Sequence, residues 1–249
     1  MFITHKGKIM KNKRNQKNII WKILLIIFSI VLIICLIIIG IQKYQQKKQQ
    51  EYYEALLENE STQTQATEEM PEPETEEAPD ILKSLGIEIP EKDIDFAALQ
   101  EENSDVYAWI YVPGTNGDYP VLQHPEDDTY YLEHNMDGSK GLPGCIYTES
   151  VNTKDFTDPN TVLYGHNMKN GTMFSDLKKY LNTDFLNSHR TVRLETADGV
   201  FLFTVTEVRR TNTADPWYDR TTCEDGRHLI LSTCYGSGKD GRLLIIAEE

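Results

Sequence analysis

Cys234 and Arg242 bracket the stretch in which this chain concentrates its reactive side chains. Cys234 ends the run Leu229-Ile230-Leu231-Ser232-Thr233, Arg242 opens the run Leu243-Leu244-Ile245-Ile246, and a glycine-punctuated segment from Tyr235 to Gly241 separates them. Two apolar runs across such a link read as two strands whose ends meet at one mouth of a sheet. A thiol beside a fixed cation points to nucleophilic chemistry, because the thiolate is the reactive form and nearby positive charge favours it.

A nucleophilic thiol needs a histidine within reach, and the chain beyond residue 80 offers His124, His134, His166, His189 and His228. His228 precedes Cys234 by six residues on the same expected strand, which puts it about 20 Å away, too far to share a proton. His166 ends its own apolar run, Thr161-Val162-Leu163-Tyr164-Gly165, and so occupies the same kind of position as Cys234. Strand ends carrying His and Cys, with Arg opening a third strand, can converge at one end of a barrel.

The remaining cysteines read differently. Cys35 lies in an apolar segment, Cys145 reads as a small buried hydrophobe, and Cys223 sits in a polar loop, free or paired with Cys145. No C-x-x-C spacing occurs, which argues against a structural zinc site or a thioredoxin-type redox pair. Gly236-Ser237-Gly238-Lys239 lacks phosphate-loop spacing and reads as a connector, and the acidic turn Glu126-Asp127-Asp128 reads as solvated rather than as a calcium site.

Eight strands are expected to position these groups: Tyr107–Val112, Tyr119–Leu122, Gly144–Thr148, Thr161–His166, Thr191–Thr196, Val200–Arg209, His228–Cys234 and Arg242–Ala247. Turns are expected through Pro113–Gly117 and Ala197-Asp198-Gly199. Short helices are expected around Ile94 to Leu99, over Met173–Tyr180 and over Asp184–Ser188. Many short strands with a few helices make a mainly β fold, a closed barrel or sandwich with helical decoration.

The chain has 249 residues and a formal charge of -14, but the charge is unevenly distributed. Residues 1–50 hold ten Lys and Arg and no acid, which leaves 15 bases against all 39 acids beyond, a balance of -24 and no footprint for nucleic acid. Ile23 to Ile41 carries no charge and as a helix spans about 28 Å, the thickness of a bilayer core. It reads as an uncleaved transmembrane anchor, with residues 1–22 as a basic cytoplasmic segment and everything after Gln42 outside the cell. Residues 42–80 read as a stalk, its Ser61–Asp80 part an acidic spacer too poor in apolar side chains to fold, and 81–249 as the catalytic domain.

Leu231-Ser232-Thr233-Cys234 with Arg242 eight residues on, together with Tyr164-Gly165-His166-Asn167, resembles the catalytic signature of the sortases, class B in particular. The likeness extends through Asp95-Phe96, Trp109-Ile110, Asp118-Tyr119-Pro120-Val121 and Tyr130-Tyr131-Leu132, and so covers about Ile94 to Glu249. It implies a sortase-type closed barrel of about eight strands outside a Gram-positive membrane. It also implies a cysteine transpeptidase in which Cys234 attacks the carbonyl after Thr in the C-terminal sorting signal of a secreted protein. His166 then protonates the leaving amine, Arg242 stabilises the oxyanion, and a peptidoglycan-precursor amine takes the acyl group, with no metal or other cofactor. The same resemblance makes Ser232, Thr233, Leu132 and Asp128 substrate-binding residues of the groove, Asp128 standing where the family commonly has Asn, four positions before Leu132. The alternatives are a cysteine hydrolase without transfer, a pilin-polymerising sortase, and a non-catalytic membrane-tethered binding module.

Overall fold

The computed structural model describes the backbone of residues 3–63, 92–219 and 226–249, and side chains within this from Trp21 to Leu57, from Lys92 to Asp219 and from Gly226 on. Most of the expected spacer and all of Cys223 lie outside these residues. Helix α1 spans Ile3–Gln63. Its stretch Trp21–Leu57 is long and apolar enough to cross a membrane, and the side chains of Ile23 to Ile41 are exposed rather than packed. Met1–Lys48 and Gln49–Glu249 form separate compact units. The second unit therefore takes in the last turns of α1, within what the sequence reads as stalk. Tyr53 is buried there, with Tyr52, Leu56 and Leu57 packed partly against the same clusters.

Eight strands close a barrel: β1 (Val106–Val112), β2 (Gly117–Leu122), β3 (Ile146–Tyr147), β4 (Asn160–Tyr164), β5 (Thr191–Thr196), β6 (Gly199–Asn212), β7 (His228–Cys234) and β8 (Gly241–Glu248). The order around the barrel is β1-β2-β3-β4-β7-β8-β6-β5, with β5 returning to β1. Two neighbouring pairs, β2 with β3 and β4 with β7, run parallel. All eight expected strands are present, with shifted ends. β3 keeps only two residues, starting after Gly144 takes a left-handed φ of 70°. β6 runs three residues further than expected because Arg210, Thr211 and Asn212 stay in the ladder opposite Leu243, Arg242 and Gly241.

β7 and β8 are apolar without alternation because both of their faces are covered. Leu229, Leu231, Leu243 and Ile245 point into the barrel core, whereas Ile230, Leu244 and Ile246 join Val162 in an outer layer beneath Trp217 and Tyr218. Helix α2 (Phe96–Glu102) begins at Asp95, whose side chain accepts from Ala98 N. Ile94 just before the cap and Leu99 in the first turn share one buried cluster, a hydrophobic staple, while Ala97 faces solvent. A short helix α3 (Tyr130–Glu133) follows β2, and α4 (Thr183–Ser188) precedes β5. Between β4 and α4 the expected helix is a 3-10 helix, Phe174–Leu181. Phe174, Leu177 and Tyr180 recur every third residue and are all buried, the repeat that suits three residues per turn.

Candidate active site

The parallel ladder of β4 and β7 ends on the rung Tyr164↔Ser232, and β7 pairs with β8 until Cys234↔Arg242. His166 therefore lies two residues past the end of β4, beside the end of β7, and not inside the strand as expected. Hydrogen bonds lock this junction. Gly165 N donates to Ser232 O (3.1 Å), Thr233 Oγ1 donates to Gly165 O (2.8 Å), and Asn167 Nδ2 donates to Cys234 O (2.8 Å). His228 sits at the opposite end of β7, on the rung with Glu248.

An open cleft of about 410 Å³ forms where these ends meet, and His166, Cys234, Arg242, Ser232, Thr233 and Leu132 all line it. Asp128 does not. Its Oδ1 instead accepts from Ser150 N (2.6 Å), tying the turn before α3 to the loop after β3. The Cys234 residue is exposed, in contrast to the buried Cys145. Arg242 donates from one guanidinium nitrogen to Lys239 O and Gly241 O, both at 3.0 Å, so the glycine-rich link that carries it also anchors its head. Gly241 is required there, since a Cβ would run into the carbonyl of Tyr235. His166 Nε2 lies 2.7 Å from Leu132 O. A carbonyl only accepts, so Nε2 carries the proton and Nδ1 is the position that can change protonation.

Sequence reasoning missed the aromatic wall of the cleft. Tyr147 and Tyr164 stack with ring centroids 5.3 Å apart, and Tyr164 and Tyr218 lie nearly parallel at 6.2 Å. Tyr218 OH and Ser232 Oγ are 2.7 Å apart. Burial raises both the Tyr147 and the Tyr218 phenols, so both stay protonated and can donate. Glu149 and Thr213 also line the cleft. The connection that follows β6 shows one 3-10 turn, at Pro216–Tyr218, in its described part.

Asp215 starts that turn by accepting from Trp217 N (3.0 Å), with Arg209 alongside. Burial works against its charge, but the bonds from Thr211, Trp217 N–H and Arg209 outweigh it and hold its pKa below the ordinary value. A depressed carboxylate pKa adds stability above the unfolded value, near pH 4, and that stability is lost as pH falls through the folded value. Asp215→Asn is therefore expected to melt below the wild type at neutral pH and to converge with it in acid, as followed by thermal unfolding across pH.

A second expected outcome concerns Gly165. A Cβ there would lie 2.5 Å from Ile146 Cδ1 and 2.6 Å from Phe174 Cδ2. Phe174 is fully buried and its N–H donates to His166 O (3.0 Å), so it cannot yield without moving the histidine loop. Gly165→Ala is expected to cost about 1–3 kcal/mol of stability through overpacking, measured by denaturant unfolding.

Among the described residues no group of three His, Cys, Asp or Glu side chains is placed to hold a metal ion. A family model described as Sortase domain matches residues 110–249, more than half of the chain. The chain belongs to the sortase family. Among the relatives of this sortase, the sortase B of Listeria monocytogenes is 47% identical over 97 residues, 39% of each chain. The sortase B of Staphylococcus aureus is 32% identical over 130 residues, 52% of each chain. The matched stretches thus span about half or less of those relatives. The solved Staphylococcus aureus sortase B–substrate complex superposes with a TM-score of 0.56 at 27% identity, covering 61% of this chain and 83% of that one. These likenesses assign the chain to class B.

Proposed function

We propose that this class B sortase is a membrane-anchored cysteine transpeptidase whose reacting groups are Cys234, His166 and Arg242. The observation that carries the reading is that these three side chains, from the ends of β4, β7 and β8, line one open cleft. The Cys234 thiolate attacks the carbonyl after Thr in a sorting signal, and the C–N bond breaks as His166 gives a proton to the leaving amine. Arg242 balances the negative charge on the carbonyl oxygen, and its anchored head lowers the reorganisation needed when that charge appears. An amine of a peptidoglycan precursor then attacks the thioester, which restores an amide and frees the thiol. The apolar run of α1 anchors the enzyme, and the lysines before it keep the N-terminus in the cytoplasm. Leu132, Ser232 and Thr233 belong to the substrate groove.

The test is to incubate the full-length protein in detergent with a panel of sorting peptides, with and without amine acceptors, and to weigh the products. Amide products that appear only with acceptor support transfer. Hydrolysis alone, with cell-wall amines supplied in excess, would leave a cysteine peptidase. Transfer to a lysine of a second protein would favour polymer assembly.

A further inference from the structure

The proton on His166 Nε2 is held by a backbone carbonyl, and what holds that carbonyl lies outside the cleft. Leu132 sits on the four-residue helix α3, too short to keep its own position. Its two flanks are stapled to the segment Gly144-Cys145. Cys145 N donates to Tyr131 O (3.0 Å) and Cys145 Sγ donates to His134 O (3.5 Å). Gly144 N donates to Asn135 Oδ1 (3.1 Å). The approach is close: a Cβ on Gly144 would lie 2.6 Å from Tyr131 O and 3.1 Å from Leu132 O, and its φ of 70° already favours glycine.

Behind Gly144-Cys145 stands α1. The buried Tyr53 hydroxyl lies 3.2 Å from Gly144 O and 3.7 Å from Cys145 Sγ, and its ring packs edge-on against Tyr119 at 5.3 Å. Gln49, one turn earlier, donates to Asp137 Oδ2 (3.0 Å) in the loop that follows α3. Burial pushes the Cys145 thiol up to about 12, so it remains an S–H donor and takes no part as a nucleophile.

We propose that the end of α1 is a positioning element for His166: Tyr53 fixes Gly144-Cys145, Gly144-Cys145 fixes the Tyr131–Leu132 peptides, and the Leu132 carbonyl keeps the ring proton of His166 on Nε2. This rests on the assignment of His166 as the general acid. Tyr53 and Gly144 are positioning residues and touch no substrate. The imidazolium that acts as general acid carries hydrogens on both nitrogens. With Nε2–H held by the Leu132 carbonyl, the proton given to the leaving amine departs from Nδ1 and the neutral ring left behind is the Nε2–H tautomer, so a displaced carbonyl frees the ring to turn and lowers the fraction of enzyme placed to donate.

Two variants of the full-length protein in detergent micelles test this, Gly144→Ala and Tyr53→Phe, the latter keeping the ring in the core. Long-range nitrogen–proton spectra of the imidazoles report the His166 tautomer, and peptide cleavage reports kcat and KM. The wild type is expected to show the Nε2–H tautomer. Gly144→Ala is expected to show mixed tautomers and a kcat reduced about tenfold or more at nearly constant KM, and Tyr53→Phe a smaller change of the same kind. If Gly144→Ala does not fold, Tyr53→Phe alone decides. Pure Nε2–H tautomer with kcat within twofold of wild type in the folded variants would overturn the proposal. A wild type that cleaves no sorting peptide would refute the transpeptidase reading instead, and the tautomer spectra would still judge the role of α1.

Discussion

Cys234→Ala is expected to leave a protein with the thermal unfolding profile of the parent and no capacity to form an acyl-enzyme. The substitution removes one sulfur from an exposed position at the end of β7, where nothing in the core depends on it. The neighbouring bonds run through the backbone, since Asn167 donates to the Cys234 carbonyl and not to the thiol. Activity, by contrast, is expected to fall by the whole nucleophilic contribution, because Cys145, the other thiol described in the barrel, is buried with its pKa near 12. Mass spectrometry of the protein after exposure to a sorting peptide reads both results at once. An acylated Cys234→Ala protein would remove the proposed mechanism.

The second large effect is at Arg242. Arg242→Lys is expected to lower kcat/KM by about 10²–10³, nearly as much as Arg242→Ala, because one nitrogen of the guanidinium is committed to the Lys239 and Gly241 carbonyls. A lysine offers one compact ammonium, which cannot hold the link and face an oxyanion in the fixed geometry of the planar fork. Rescue by lysine to within a fewfold of wild type, in steady-state cleavage assays, would reduce Arg242 to a source of charge.

The strands that carry Cys234 and Arg242 were legible because they are covered on both faces, and an unbroken apolar run next to glycines has few other readings. The exclusion of His228 was legible too, since strand rise alone separates it from Cys234. What stayed hidden is non-local. The adjacency of β4 and β7 joins segments more than sixty residues apart, and nothing in either run names the other as partner. Leu132 could be placed as an apolar groove contact, but the polar role of its carbonyl has no signature in a side chain. Tyr53 lay in a stretch of Gln, Glu and Lys whose composition describes its exposed face and conceals its buried one. The bond that Asp128 accepts from Ser150 N joins loops 22 residues apart and has no local pattern to announce it. After β6, the cleft wall depends on Tyr218 meeting Tyr164, which only the folded barrel brings about.

The parallel pairing of β4 with β7 means that His166 and Cys234 are registered by rungs of backbone, whatever the length of the loops that join other strands. The segment after β6 contributes Thr213 and Tyr218 to the cleft wall. The cleft wall and the His166–Cys234 pair are thereby held by separate parts of the chain. On the proposed mechanism, a foreign segment grafted between β6 and β7 is expected to change which peptide is admitted while the separation of His166 from Cys234 stays as the ladder sets it.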